Sequence, residues 1–134
     1  MHPRKRAKKV VKVLIVDNDR DMCKVIADIL KEEGVSVSIA SNGEAALKKI
    51  EKQSCDAMIL DYKLSGISGL TVLEKARQLR PSITTIMISG YGNSAVRKRA
   101  QGLGAYAFLD KPFNIKVLAK VVKKALKEKK GGAV

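Results

Sequence analysis

The 134-residue chain has no tryptophan, one histidine and two cysteines, and each scarcity excludes a kind of site. His2 stands alone in a basic N-terminal segment, so no Ser-His-Asp or Cys-His catalytic set can form. Cys23 and Cys55 cannot make a disulfide framework or a four-cysteine zinc site, and we expect two buried thiols in a reducing cytosol. No apolar run exceeds five residues, which excludes a membrane span. We therefore expect a cytoplasmic protein.

Acidic residues are half as frequent as basic ones, giving a net charge of +14, but the excess is confined to the two ends. Residues 1–12 carry six basic and no acidic side chains, and residues 111–134 carry eight lysines and one glutamate. Residues 13–110 are nearly balanced, with thirteen basic and twelve acidic side chains. A nucleic-acid-binding domain usually gathers its basic residues on the folded docking face. We therefore disfavour direct nucleic-acid binding and interpret the basic ends as a solvated tail and the polar face of a last helix, with a secondary affinity for phosphate backbones or anionic surfaces as the alternative.

Short apolar segments alternate along the chain with segments of helical periodicity. The predicted strands cover residues 10–16, 35–39, 57–60, 83–88 and 105–109. The first helix is predicted to bury Met22, Val25 and Ile26 on one face, and the second to begin at a capping box over residues 41–44. Buried strands separated by helices imply parallel strands with right-handed crossovers. The fold class is therefore α/β, a doubly wound sandwich of five strands and five helices.

The length fits one domain, with no internal repeat and no long linker. We expect that domain over residues 10–128, preceded by a basic tail over residues 1–9. Residues 129–134 are interpreted as a C-terminal tail or as the point where the chain is cut before another domain.

Polar residues that suit metal and phosphate chemistry follow the predicted strands. Asp17 and Asn18 follow the first strand, and Asp61 follows the third. Ser89 follows the fourth strand, and Lys111 the fifth. Sites in open α/β sheets lie beyond the carboxyl ends of the strands, so these side chains should converge. Clustered carboxylates are costly without a cation, and oxygen ligands of this kind suit Mg²⁺.

These residues carry a resemblance to a known family. The motifs are Val16-Asp17-Asn18-Asp19, Leu60-Asp61 with Gly66 and Gly69-Leu70, Ser89-Gly90, and Lys111-Pro112-Phe113. Together they resemble the receiver domain of two-component response regulators, and the segments 89–93 and 104–109 are most similar to receivers of the nitrogen-regulation type. The resemblance implies a flavodoxin-like (βα)5 fold with strand order 2-1-3-4-5.

The resemblance also implies a phosphorylation site. Asp61 matches the residue that accepts a phosphoryl group from a sensor histidine kinase or a phosphotransfer protein, with Mg²⁺ as cofactor. The matching metal ligands are Asp17, Asn18, Asp61 and the backbone carbonyl of Lys63. Such a protein is a signalling phosphoacceptor and not an enzyme in the usual sense.

Three more residues match the family's switch. Lys111 matches the lysine that pairs first with the acceptor carboxylate and then with the phosphoryl group. In the family, the peptide bond that corresponds to Lys111–Pro112 is cis. Ser89 matches the hydroxyl that binds the phosphoryl oxygen, and Phe108 the aromatic whose rotation reports it. The implied output surface is the fourth helix, fifth strand and fifth helix, which would dimerise or dock an effector with an acidic surface.

Asn18 keeps a second function open, because the family usually has an acidic metal ligand at this position. The alternative is a pseudo-receiver, the same fold used for protein interaction without phosphorylation. Lys63 and Tyr91 match the positions that border the path of the hydrolytic water, and we expect them to slow dephosphorylation. A nucleotide-binding enzyme is disfavoured because residues 16–19 contain no glycine fingerprint.

Overall fold

Five parallel strands form one sheet in the order β2-β1-β3-β4-β5. The structure is a computed structural model that describes residues 10–90 and 94–132, with residues 129–132 described through their backbone. The strands are β1 (Lys12–Val16), β2 (Ser36–Ala40), β3 (Ala57–Asp61), β4 (Thr84–Ser89) and β5 (Ala107–Asp110). The predicted fold class and strand order are both confirmed.

A helix follows each strand. The helices are α1 (Arg20–Glu32), α2 (Gly43–Lys52), α3 (Gly69–Leu79), α4 (Ser94–Gly102) and α5 (Ile115–Gly132). The α5 backbone thus continues four residues past position 128, where we placed the end of the domain. None of these helices within the described residues is long and apolar enough to cross a bilayer.

The strands divide the apolar core into two layers because successive strand residues point to opposite faces of a sheet. On one face, Val13 and Ile15 of β1 pack with the buried sides of α1 and α5. On the other face, Leu14 and Val16 pack with buried residues of α2, α3 and α4. Both layers are continuous under the strands, so the strand ends are held in fixed register on a rigid support.

The buried face of α1 is rotated from the one that the apolar pattern predicts. Val25 is 45% exposed, whereas Cys23 and Ala27 are buried beside Ile26. The prediction for Val25 was wrong. The small side chains of Cys23 and Ala27 belong to the same apolar layer as Val13 and Ile15 of the sheet, and a count of large apolar residues does not register them.

The start of α2 differs from the prediction by one residue. The N-cap is Asn42, whose side-chain oxygen accepts a hydrogen bond from the Ala45 amide at 2.8 Å, and not Ser41. Gly43 is then the first residue of the helix and packs against Ile67 and Val72. A Cβ at Gly43 would lie 2.6 Å from either side chain.

The two cysteines have different surroundings. Cys23 is buried as predicted, but Cys55 is only half-buried and its thiol donates to the Ala57 carbonyl at 3.1 Å. The prediction of two buried thiols is wrong for Cys55, which precedes β3 at the amino edge of the sheet. The predicted basic tail over residues 1–9 lies outside the described residues.

Candidate functional site

The carboxyl ends of β1, β3, β4 and β5 bring the predicted site residues to one edge of the sheet. Val16 pairs with Leu60, so Asp17 and Asp61 follow neighbouring positions of adjacent strands. Ser89 pairs with Asp110, which precedes Lys111. The Lys111 amide donates to the Ser89 carbonyl at 2.7 Å, and the Lys111–Pro112 peptide bond is cis, as the family resemblance implies.

The centre of the site is a cluster of two acids and one lysine. The Lys111 Nζ donates to Asp17 Oδ2 at 3.0 Å and to Asp61 Oδ2 at 3.2 Å. Both carboxylates are buried, with Asp17 1% and Asp61 5% exposed, while a quarter of the Lys111 side chain remains exposed. Residues far apart in the chain are therefore joined by one ammonium group.

Backbone amides hold the second oxygen of each carboxylate. The Asp19 amide donates to Asp17 Oδ1 at 2.9 Å, and the Lys63 amide donates to Asp61 Oδ1 at 3.4 Å. The loop after Asp61 returns under it at Gly69, where a Cβ would lie 2.4 Å from the Asp61 carbonyl oxygen. The glycine at position 69 is therefore required by the close approach of the chain to the acceptor candidate.

Burial and like charge act on the protonation of the cluster. Burial, followed by the negative charge of Asp17, raises the pKa of Asp61 above its usual value, and Lys111 opposes this rise. Burial would lower the pKa of Lys111, but the hydrogen bonds and charges of Asp17 and Asp61 outweigh it, so that pKa is raised. Lys111 is consequently held as an ammonium ion between two carboxylates.

An open cleft of about 400 Å³ borders Asp61, and Asn18, Lys63, Gly90 and Lys111 also line it. Within the described residues, no three His, Cys, Asp or Glu side chains gather to hold a metal ion. Asp17 and Asp61 would need further oxygen donors, and the Asn18 amide and Lys63 carbonyl are of the right chemistry. Hard oxygen donors of this kind fit Mg²⁺. The full ligand set stays a prediction.

Two of the three predicted switch residues, Ser89 and Phe108, lie on neighbouring strands. The Ser89 side chain is completely buried at the end of β4. Phe108 is half-buried in β5, where it pairs with Met87 and packs against the apolar layer of α2, α3 and α4. Tyr91 lies outside the described residues.

Arg97 belongs to the predicted output face, but its contacts beside the site were not predicted from the sequence. Its guanidinium donates to the Phe108 carbonyl at 3.3 Å and to the Asp110 carboxylate, and lies 4.8 Å from the centre of the Phe108 ring. No spacing rule joins residues 11 and 13 positions apart on a helix and a strand. The basic run at residues 97–99 was the only available signal.

A match to one protein-family model spans most of the chain and identifies the family to which the chain belongs. Residues 13–123 match the family model of the response regulator receiver domain. The chain belongs to this receiver family. Receiver domains are signalling phosphoacceptor modules that work with a cognate histidine kinase, and they typically bind a divalent cation at the phosphorylation site.

Individual relatives agree with this assignment. The receiver is 38% identical over 118 residues to a putative response regulator NtrX-like of Rickettsia bellii, an alignment covering 87% of this chain and 25% of that protein. It is 35% identical over 116 residues to the nitrogen assimilation regulatory protein NtrX of Azorhizobium caulinodans, covering 85% and 26%. The predicted similarity to receivers of the nitrogen-regulation type is therefore confirmed, and the receiver spans about a quarter of the length of these relatives.

The fold has equally clear counterparts among solved structures. A CheY-like response regulator receiver domain protein from Methanospirillum hungatei superposes with a TM-score of 0.89 at 33% identity. That alignment covers 92% of this chain and 99% of the other. The similarity therefore extends over the whole sandwich, including the strand ends that form the site.

Proposed function

We propose that this receiver accepts a phosphoryl group on Asp61 from a sensor histidine kinase or a phosphotransfer protein. The observation that carries the proposal is the contact of Lys111 Nζ with both Asp17 and Asp61 at the border of an open cleft. A buried carboxylate beside an ammonium ion and open to solvent on one side suits transfer to an incoming phosphoryl donor.

Asp61 is the nucleophile in this proposal. An Asp61 oxygen forms a bond to phosphorus, and the bond from phosphorus to the donor histidine nitrogen breaks, which leaves an acyl phosphate and a free imidazole. No general base is needed because the ionised carboxylate is already nucleophilic. The Lys111 ammonium at 3.2 Å favours that ionised form.

Lys111 and the metal ligands carry the charge that develops. Lys111 moves from the carboxylates to the transferred phosphoryl oxygens, where its positive charge stabilises the product. A Mg²⁺ ion held at this site would supply positive charge that offsets the negative charge of the phosphoryl group. Asp17, Asn18, Asp61 and the Lys63 carbonyl are the proposed ligands.

Ser89 and Phe108 relay the change in this proposal. The Ser89 hydroxyl binds a phosphoryl oxygen, and the Phe108 ring moves with it. The output surface is the face of α4, β5 and α5, where Lys98, Arg99 and the α5 lysines up to Lys127 are exposed. In the family this face mediates dimerisation or docking to an effector, and here its positive charge favours a partner with an acidic surface.

Phosphorylation by acetyl phosphate in millimolar Mg²⁺ tests the proposal. We expect the intact mass to rise by one phosphoryl group, and Asp61→Ala to abolish the rise. Asp56→Ala is the matched control, because Asp56 precedes the same strand at its opposite end. A rise that persists in Asp61→Ala would contradict the assignment of the acceptor.

A pseudo-receiver is the second candidate function, and Asn18 is the observation that favours it. An amide at the metal site supplies an oxygen but no negative charge, which weakens the attraction for a divalent cation. An unchanged mass of the wild-type protein in millimolar Mg²⁺ would favour this candidate over the phosphoacceptor.

The phosphorylated state is proposed to be long-lived because Lys63 and Tyr91 match the family positions that border the path of the hydrolytic water. Lys63 is exposed at the cleft, where it can pair with a phosphoryl oxygen and exclude that water. Lys63→Asn and Tyr91→Ala should each shorten the lifetime of phospho-Asp61, measured by mass after removal of the donor. An equal or longer lifetime in both variants would contradict the proposal that these side chains exclude the hydrolytic water.

A further inference from the structure

Arg97 of α4 binds β5 through three different contacts. Its Nη1 donates to the Phe108 carbonyl at 3.3 Å, and its Nη2 donates to the Asp110 carboxylate. The guanidinium carbon also lies 4.8 Å from the centre of the Phe108 ring, within the range of a cation–π contact. One side chain thus holds the backbone, the ring and the next side chain on the same face of the strand.

The rest of α4 is weakly anchored. Its buried residues are Val96 and Ala100, both small, whereas α3 buries Val72, Leu73 and Ala76. A groove of about 290 Å³ lies between α4 and β5 and is lined by Arg97, Phe108 and their neighbours. Because little apolar area ties α4 to the sheet, the contacts of Arg97 are a large share of what sets its position.

The strand segment that Arg97 holds leads directly into the site. Asp110 precedes Lys111, whose ammonium contacts Asp17 and Asp61. Asp110 also pairs with Ser89 across the sheet. Any change that draws Lys111 or Ser89 towards a phosphoryl group therefore acts on neighbours of Asp110, which Arg97 contacts.

We propose that Arg97 is a positioning residue that holds Phe108 and α4 in their unphosphorylated arrangement and so lowers the affinity of the site for a phosphoryl group. This inference rests on the proposed function of Asp61. A contact made only in the unphosphorylated arrangement stabilises that state, and its removal shifts the equilibrium towards the other state.

Binding of beryllofluoride in the presence of Mg²⁺ tests the proposal, because this anion imitates a phosphoryl group on a carboxylate. Arg97→Gln should bind it roughly two- to fivefold more tightly than the wild type, as the loss of an exposed cation–π contact implies. Lys98→Gln is the matched control, since Lys98 is the next residue of α4 and is exposed.

The control separates the restraint from simple electrostatics. Each variant removes one positive charge from α4, and that loss by itself weakens the binding of an anion. Tighter binding in Arg97→Gln alone is therefore opposite to the effect of charge. Equal or weaker binding in Arg97→Gln than in Lys98→Gln would overturn the role of Arg97.

The nuclear magnetic resonance signals of the Phe108 ring provide a second readout. They are simple to assign because the chain contains only two phenylalanines. In protein labelled at phenylalanine, beryllofluoride should shift the Phe108 ring signals, and Arg97→Gln should move them in the same direction without the anion. Unmoved signals in unliganded Arg97→Gln would overturn the proposal while leaving Asp61 as acceptor. Binding of beryllofluoride that survives Asp61→Asn would overturn both.

Discussion

Two charged clusters lie within a few residues of each other at the carboxyl edge of the sheet, and they differ in burial. In the first, Lys111 binds Asp17 and Asp61, whose side chains are 0% and 7% exposed. In the second, Arg97 binds Asp110, and these side chains are 39% and 54% exposed. Asp110 and Lys111 are adjacent in sequence, but the ion pair of Asp110 is exposed to solvent, whereas Lys111 binds two buried carboxylates.

Burial determines how strongly each cluster responds to a change in charge. Removing a carboxylate from water costs free energy that its partner must recover, so the buried cluster is sensitive to every charge that enters or leaves it. The exposed pair is screened by water and contributes little to stability, so it serves as a contact that can be broken. In our proposals, the first cluster therefore serves chemistry and the second serves position.

The largest effect is expected from Lys111→Met, which leaves two buried carboxylates without a counterion. Because part of Lys111 is exposed, we expect the free energy of unfolding at pH 7 without divalent ions to fall by about 2–3 kcal/mol, somewhat less than for a fully buried pair. Chemical denaturation measures it, with Lys116→Met on the exposed side of α5 as control. Asp61→Asn added to Lys111→Met should recover part of the loss, and equal stability of Lys111→Met and the control would remove the contrast between the clusters.

Asp61→Asn should change the free energy of unfolding less than Lys111→Met does. The reason is that Lys111 already balances part of the Asp61 charge in the wild type. The folded-state pKa of Asp61 is raised above 3.8, so between pH 3.8 and that higher value the native state holds a proton that the unfolded chain loses. The free energy of unfolding should therefore fall as pH rises through this window. Denaturation without Mg²⁺ should show this fall in the wild type and in Asp56→Asn, and a reduced fall in Asp61→Asn. Identical pH profiles for all three proteins would contradict the raised pKa.

Asn18→Asp adds a negative charge at an exposed position beside the buried cluster, on the lining of the cleft, and should increase the affinity of the site for a cation. One more carboxylate at a hydrated metal site is worth about 1 kcal/mol, which is roughly a fivefold gain in Mg²⁺ affinity. Calorimetric titration with Mg²⁺ measures the gain, and Gln101→Glu adds the same charge on α4 as a control. An affinity equal to that of the wild type would mean that residue 18 does not contact the metal.

The smallest effect is expected from Asp110→Asn in the exposed cluster. Loss of a solvent-exposed ion pair should reduce the free energy of unfolding by less than about 1 kcal/mol, and added salt should shrink the difference further. Denaturation at low and high salt provides the measurement. A loss as large as that of Lys111→Met would show that exposure is not what separates the two clusters.

Much of the site could be predicted because it lies where strands end. The short apolar runs before Asp17, Asp61 and Ser89 identify parallel strands, and parallel strands present their carboxyl ends at one edge. The positions of these side chains follow from local patterns of a few residues. The rotation of α1 did not follow, because burial of Cys23 and exposure of Val25 depend on which helix face meets the sheet.

By itself the sequence determined the α/β class, the order of the elements and which polar residues stand at the strand ends, because each depends on neighbours within one strand or one turn of helix. Only the tertiary structure decided the environment of each charge. Lys111 contacts residues 50 and 94 positions away, and Arg97 reaches Phe108 and Asp110 from a separate helix. Burial, and with it the pKa and the strength of an ion pair, is a property of the packed layers and not of any segment alone.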